Sequence, residues 1–282
     1  MASFHARSNS LPSRQHPLTS QIEENLNRLR SSQSASTSSS IGQQLNGVQD
    51  LHEYVDMLLQ LPLTQQALAQ EQQRKSVEEL LDGSLVLLDV CNTAKDALLQ
   101  TKECTQELQS ILRRRRGVEG LAIEVRNYLI SRKAVKKAIC KALKSLKHLE
   151  SKQTISSINK DGEIINILRE VEAVTCSVLE SLLSFVSGPE SESKLSRWSL
   201  VSKLMHQKKV TSEEDEENTN EIANVEATLR SFVKSQNIKH VENLQNELQN
   251  SESCIQDLEE GLESLFRRMI KARVTVLNVL NC

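Results

Sequence analysis

The chain has 282 residues, of which 38% are hydrophobic and only 2% aromatic, and its formal net charge is −2. So few aromatic side chains exclude an aromatic surface for stacking nucleic-acid bases, and six cysteines without a CxxC pair argue against a zinc cluster. Four prolines and eight glycines, among abundant Leu, Glu, Gln, Lys and Ser, favour helices joined by polar linkers.

The first forty residues are rich in serine, and residues 1–19 contain no acid. Such a composition buries too little apolar surface to offset the loss of chain entropy, so we predict a disordered tail over 1–40. Ser20 and Glu23 have the spacing of a capping box, which indicates a short helix at 20–30 within this tail. We expect a cytoplasmic protein; the acid-free start, which also resembles a transit peptide, keeps a plastid location open.

A helical bundle is predicted over 41–282. Apolar residues on one helical face continue from Ile41 until Pro62 ends the first helix, and Thr64 is placed to cap the next one. Asp82–Gly83 indicates a break or bend before a helix that runs towards Arg116. In this helix two threonines, Thr101 and Thr105, occupy seam positions among apolar residues three and four apart.

The next predicted helices follow the same three-four rule. The helix over 121–149 carries Arg132 at a seam position, and the helix over 164–185 ends at the "SGP" of 187–189. A lesser helix around 195–205 contains the only tryptophan, Trp198. The acidic segment 211–219 is predicted to be a linker, before a helix that extends to about residue 236.

The last segment has the most regular pattern. Its seam is polar only at Ser251 and consists of Val241, Leu244, Leu248, Ser251, Ile255, Leu258, Leu262, Leu265, Met269, Ala272, Val276 and Val279. A seam this long and narrow has to be buried against other helices, in the same chain or in a second copy, so self-association stays open. We therefore predict an all-α fold, an elongated helical bundle with coiled-coil-like heptad seams and no transmembrane segment.

A basic strip is predicted on the helix over 121–149. At 100° per residue its lysines fall within about 140°, opposite an apolar side; they are Lys133, Lys136, Lys137, Lys141, Lys144 and Lys147. Residues 113–149 carry twelve Lys or Arg against two acids, whereas residues 211–265 carry fourteen acids against three bases. The strip either pairs with this acidic half, is simply solvated, or binds an anionic membrane surface. We do not expect nucleic acid as a partner, because no recognised fold accompanies the charge.

A phosphorylation motif lies in the tail. In "RSNSLP" (7–12), Arg7 precedes Ser10 by three residues and Pro12 follows it by two, which matches a pattern read by 14-3-3-type adaptors. We expect phosphorylation at Ser10 to create such a binding site. An adaptor that binds a Ser10→Ala chain as well as the phosphorylated chain would exclude this interpretation.

The sequence shows no pattern typical of an enzyme. Its six histidines are isolated from one another, and it contains no nucleophile–base pair, phosphate-binding glycine loop or metal-ligand cluster. We therefore expect no catalytic residues, no cofactor and no bound metal. The expected function is that of a non-enzymatic interaction or scaffold protein, and the alternative is a peripheral membrane protein that uses the basic amphipathic helix.

Several segments together resemble a plant-specific helical family that is grouped with the BYPASS-type proteins of root and shoot development. They are "FHARSNSLPSR" (4–14), "LPLTQQAL" (61–68), "LLDGSLVLLDVC" (80–91), "ELQSILRRRRG" (107–117), "WSLVSKLM" (198–205) and "LESLFRRMIKARVTVLNVLN" (262–281). The resemblance spans nearly the whole chain. It implies a plant protein with a role in root and shoot development, and it supplies no catalytic residues.

Overall fold

The computed structural model describes residues 16–32, 37–114, 118–156, 162–188, 220–235 and 241–281. The regular elements in these ranges are all helical, which confirms the predicted all-α class. They are α1 Pro17–Ser31, α2 Ser38–Leu59, α3 Pro62–Leu68, a 3₁₀ turn Glu71–Gln73, α4 Arg74–Arg113, α5 Val118–Ser156, α6 Glu163–Ser187, α7 Glu221–Ser235 and α8 Val241–Asn281.

The bundle begins earlier in the chain than the sequence analysis predicts. The short helix expected at 20–30 is present but extends over Pro17–Ser31, and Ile22, Leu26 and Leu29 are at most 4% exposed within the main core. The next helix begins at Ser38 because Thr37 and Ser40 form a capping box. The structure therefore places the start of the bundle at Pro17 instead of Ile41. Residues 1–15 lie outside the described ranges.

The break predicted at Asp82–Gly83 is absent, because α4 continues through it. Gly83 serves a close approach between helices: a Cβ atom at this position would lie 1.6 Å from Oε1 of Glu172 on α6. The glycine therefore reflects packing of α6 against α4.

The longest helices form an antiparallel core. As the residue numbers of α4 increase, those of the α8 residues in contact with them decrease. The pairs are Lys95 with Glu263, Lys102 with Glu259 and Gln106 with Glu252. The 41 residues of α8 make a rod of about 60 Å. Every residue of its predicted seam from Leu244 to Met269 is buried. The second helix packs along α8 on another side, while α5 and α6 also pack against α4. This arrangement confirms the elongated bundle with heptad seams.

A polar layer divides the apolar core into two clusters. The larger cluster includes Leu98 and Ile255, and the smaller one, at one end of the bundle, includes Leu108, Tyr128 and Leu248. The polar seam residues of three helices lie between them in sequence and are almost fully buried; they are Thr101 and Thr105 of α4, Arg132 of α5 and Ser251 of α8. These four polar seam residues therefore belong to one region of the bundle.

Candidate functional site

The predicted basic amphipathic helix is present as part of α5. Its apolar side is buried through Val135, Ile139, Ala142, Leu146 and Leu149. Five of the six predicted lysines lie on the exposed side, which we call the lysine face; they are Lys133, Lys137, Lys141, Lys144 and Lys147. Packing of α5 against α4 and α6 thus holds these side chains on a rigid helix.

The sixth lysine, Lys136, belongs to a buried ion-pair cluster. Its Nζ lies 3.1 Å from Oε2 of Glu226 on α7, and Glu226 also pairs with Arg230 and, at 3.6 Å, with Nε of Arg132. Burial alone would raise the pKa of the Glu226 carboxyl, but hydrogen bonds from Arg230 and Lys136 and the charges of Lys136 and Arg132 hold it below its usual value. Lys136 therefore has a structural partner within the chain.

Arg132 connects four helices at the centre of this cluster. It is 1% exposed, and its Nη1 donates to Thr101 Oγ1 on α4 at 3.1 Å. Its Nη2 donates to the carbonyl oxygens of Val186 at 2.6 Å and Ser187 at 3.3 Å, at the C-terminal end of α6. A cation suits this end of a helix because the last carbonyl groups carry partial negative charge. The guanidinium group thus joins α5 to α4, α6 and α7.

The described acids of the C-terminal half form no ion pair with the lysine face. Among the described residues, no ion pair involves any of its five lysines, whereas acids of α8 pair with Lys95 and Lys102 of α4. Lys147 does affect one described acid: burial and Glu150 raise the pKa of Glu180, and the charge of Lys147 opposes this increase. Among the described residues, the predicted pairing within the chain is therefore found at Lys136.

Two isoleucines are exposed in line with the lysine face. Ile123 is 56% exposed and Ile130 is 64% exposed. Since residues seven apart occupy nearly the same side of a helix, these two share a side of α5 with Lys137 and Lys144. One side of α5 therefore begins with large apolar side chains and continues with lysines.

A groove of about 850 Å³ lies between α4 and α5, and the lysine face forms part of one wall. Its lining includes the small and apolar residues Val86, Val90, Ala97, Ala138 and Ala142, and Glu172 of α6 lies over Gly83. Lys141 and Lys144 line the α5 wall, together with His148 and Lys152, while the α4 wall carries three exposed aspartates, Asp82, Asp89 and Asp96. The groove thus has walls of opposite charge.

The sequence analysis missed the acidic wall. Its signal is the seven-residue spacing of Asp82, Asp89 and Asp96, which places all three on one side of α4. A helical wheel of α4 would have shown it. That these aspartates face the lysines of α5 depends on the antiparallel contact of the two helices, which the sequence does not specify.

Three predicted features lie outside the described residues. They are the phosphorylation motif of Arg7, Ser10 and Pro12, the segment that contains Trp198, and the acidic linker at 211–219. Within the described ranges, no group of three or more His, Cys, Asp or Glu side chains is arranged to hold a metal ion. No helix in those ranges has an apolar stretch long enough to cross a membrane.

Comparison with known proteins assigns the chain to a family. A family model described as "Protein BPS1" matches residues 44–279, from α2 almost to the end of α8. Searches of curated proteins and of solved structures found no match. The family match confirms the resemblance to the BYPASS-type proteins. Since it covers more than half of the chain, the protein belongs to the BPS1 family.

Proposed function

We propose that this protein is a non-enzymatic helical interaction protein that binds protein partners through exposed helix surfaces in the cytoplasm. Membership of the BPS1 family suggests that it acts in plant development, and we include root and shoot development in the proposal. The observation that supports binding is the lysine face, because its five charges are exposed on a rigid helix and form no ion pair among the described residues. Charges held in this way favour recognition of an acidic surface.

Neutralising the lysine face is expected to reduce partner binding with little effect on folding. Single exposed ion pairs contribute about 0.2–1 kcal/mol, so the loss of five is expected to weaken binding of an acidic partner by about fivefold or more. The measurement is proximity labelling in plant cells with the full chain, comparing wild type with a variant in which Lys133, Lys137, Lys141, Lys144 and Lys147 are glutamine. We expect a defined set of proteins to lose labelling.

A matched control neutralises five exposed cations on other helices: Arg28, Arg74, Lys75, Arg267 and Lys271. These cationic side chains are exposed and pair with acids at or near the surface, and ion pairs of this kind contribute little to stability. The control variant should keep the wild-type labelling pattern. Equal labelling by all three chains, or equal losses in the two variants, would contradict the proposal that the lysine face binds partners.

The second candidate function is peripheral binding to an anionic membrane. It is favoured by the exposure of Ile123 and Ile130 on the side of α5 that carries the lysines. Lysines near an anionic surface each contribute about 1 kcal/mol, and apolar side chains add burial in the interface. This combination is typical of amphipathic helices that lie on a membrane surface.

Changing Ile123 and Ile130 to serine is expected to weaken such membrane binding by about tenfold or more, because two apolar side chains lose their burial. Co-sedimentation with vesicles of phosphatidylcholine and phosphatidylserine, in a sodium chloride titration, measures the effect. A control variant changes the exposed Leu63 and Leu85 to serine. Absence of binding at low salt, or binding that the lysine-face variant retains in full, would exclude a membrane function.

Two further partners remain proposals. A 14-3-3-type adaptor would bind phosphorylated Ser10, and a second copy of the chain would associate through an exposed helix surface. The adaptor proposal rests on the sequence motif around Ser10. Light scattering of the purified chain over a concentration series tests self-association, and a constant monomer mass would exclude it over that range.

A further inference from the structure

We propose that the groove between α4 and α5 binds an amphipathic α-helix of a partner protein, which carries acidic residues along its α5-facing edge and basic residues along its α4-facing edge. This inference rests on the proposed interaction function and specifies the chemistry of one partner. The lysine face supplies only one wall of this groove. The aspartates of α4 add the second requirement, that the partner must also carry positive charge.

The spacing of the groove residues fits a helix. On the α4 side the lining residues alternate three and four apart through Val86, Asp89, Thr93 and Asp96, and the α5 side does the same through Lys141, Ser145, His148 and Lys152. This alternation is the spacing of coiled-coil seams, and on α5 it lies beside the buried seam residues Ala142 and Leu149, which also line the groove. A third helix that lies between α4 and α5 therefore meets side chains in a repeat that matches its own.

The lining and length of the groove also fit a helix. Its lining on α4 extends from Glu79 to Gln100, which is about 30 Å or six helical turns. Small lining residues such as Ala97 and Ala138 let a partner helix approach closely, since the distance between packed helices depends on the side chains at the contact. A compact metabolite would fill only a fraction of so extended a surface.

The two charged walls remain available to a third helix. Among the described residues, no ion pair joins Asp82, Asp89 or Asp96 to Lys141 or Lys144, and these residues form none elsewhere. An ion pair between Glu79 and Arg169, at 3.1 Å, lies at one end of the groove. Opposite charges on the two edges of a bound helix would pair with both walls, and electrostatic complementarity of this kind determines which partner binds and in which orientation.

The acidic wall argues against an anionic membrane as the occupant of this groove. A phosphatidylserine surface would attract Lys141 and Lys144 but would be repelled by Asp89 and Asp96 beside them. A protein helix that presents lysine to α4 and glutamate to α5 satisfies both walls. The charges of the groove therefore favour a protein helix over a lipid surface.

The test uses the full chain and three fluorescein-labelled synthetic helices that are long enough to span the groove. All three have the same alanine and leucine stripe; the mixed peptide has glutamate on one edge and lysine on the other, the acidic peptide glutamate on both, and the basic peptide lysine on both. Fluorescence anisotropy measures binding. We expect the wild-type chain to bind the mixed peptide about tenfold more tightly than either uniform peptide.

Two pairs of substitutions should redirect this preference. Lys141→Glu with Lys144→Glu makes both walls acidic, so the basic peptide should bind best. Asp89→Lys with Asp96→Lys makes both walls basic, so the acidic peptide should bind best. Arg28→Glu with Arg267→Glu changes exposed charges outside the groove and should keep the preference of the wild-type chain. Because all of these side chains are exposed, we expect each variant to fold.

Several outcomes would overturn the inference. One is a wild-type chain that does not discriminate among the peptides, and another is wall variants that keep its preference for the mixed peptide. A third is that the wall substitutions change the dimerisation of the chain while none of the peptides binds. This result would assign the groove to a second copy of the chain. Loss of labelling in cells without peptide discrimination would reject this inference alone, whereas peptide discrimination with unchanged labelling would reject the proposed cellular function.

Discussion

Replacing Arg132 with methionine is expected to lower the free energy of unfolding by about 3–5 kcal/mol, because removing one partner of a buried ion pair leaves the other charge uncompensated. The substitution leaves Glu226 buried with fewer partners and removes the donor to the carbonyl groups of Val186 and Ser187. Methionine has a similar length and keeps the site filled. Urea unfolding at neutral pH, followed by circular dichroism, measures the loss.

Two control variants separate the ion pair from the filling of space. Arg132→Lys keeps the charge, but a single ammonium group cannot reproduce the planar set of donors that reaches Thr101, Val186 and Glu226, so we expect an intermediate loss. Combining Arg132→Met with Glu226→Leu removes both buried charges and should recover part of the lost stability. A cost below about 1 kcal/mol for Arg132→Met, or no recovery in the double variant, would contradict this account of the cluster.

The polar layer shows how far heptad patterns predict this fold. The sequence analysis identified Thr101, Thr105, Arg132 and Ser251 as exceptions within otherwise apolar seams. Their burial between two apolar clusters follows from the register of α4, α5 and α8, which a single sequence does not give. Periodicity predicts which side of a helix is buried, but it does not predict which exceptions meet.

The differences at α1 and at Gly83 have local physical causes. The serine content of 1–40 describes an average, whereas Ile22, Leu26 and Leu29 have the four-three spacing of a seam and pack into the core. Gly83 lowers helix propensity by about 1 kcal/mol relative to alanine, but tertiary packing of Glu172 over it outweighs this preference. Composition and local propensity were therefore less informative than spacing.

The candidate site was predictable only in part. A helical wheel identifies the lysine face because the apolar and basic sides of α5 follow from residue spacing alone. The separate role of Lys136 depends on Glu226, ninety residues later in the chain, and the acidic wall of the groove depends on how α4 lies against α5. Contacts between distant segments determine these features, and only the folded chain brings them together.

Burial of His52 makes stability depend on pH. Its Nε2 lies 3.0 Å from Thr175 Oγ1 on α6. The Thr175 hydroxyl donates its proton to the carbonyl oxygen of Val171 at 2.8 Å. The hydroxyl therefore accepts the hydrogen bond from His52, and Nε2 carries the ring proton. Nδ1 is buried and has no hydrogen-bond partner among the described residues. A second proton there would meet an apolar environment. Burial first, and then the charge of Arg268, lower the pKa of His52 to about 4.

The free energy of unfolding is therefore expected to fall by about 3 kcal/mol as the pH decreases from about 6.5 to about 4. In this window His52 of the unfolded chain binds a proton and the buried ring does not, so acid favours unfolding. The stabilisation is complete above the pKa that His52 has in the unfolded chain, and the measurement is urea unfolding over a pH series.

His52→Gln should remove most of the slope above pH 5, before Glu226 begins to contribute. An amide does not titrate, while its NH₂ group can still donate to Thr175. His148→Gln changes an exposed ring and should keep the slope of the wild-type chain. An equal slope in the His52→Gln variant would show that other groups cause the dependence and that the buried ring is charged as readily as a solvated one.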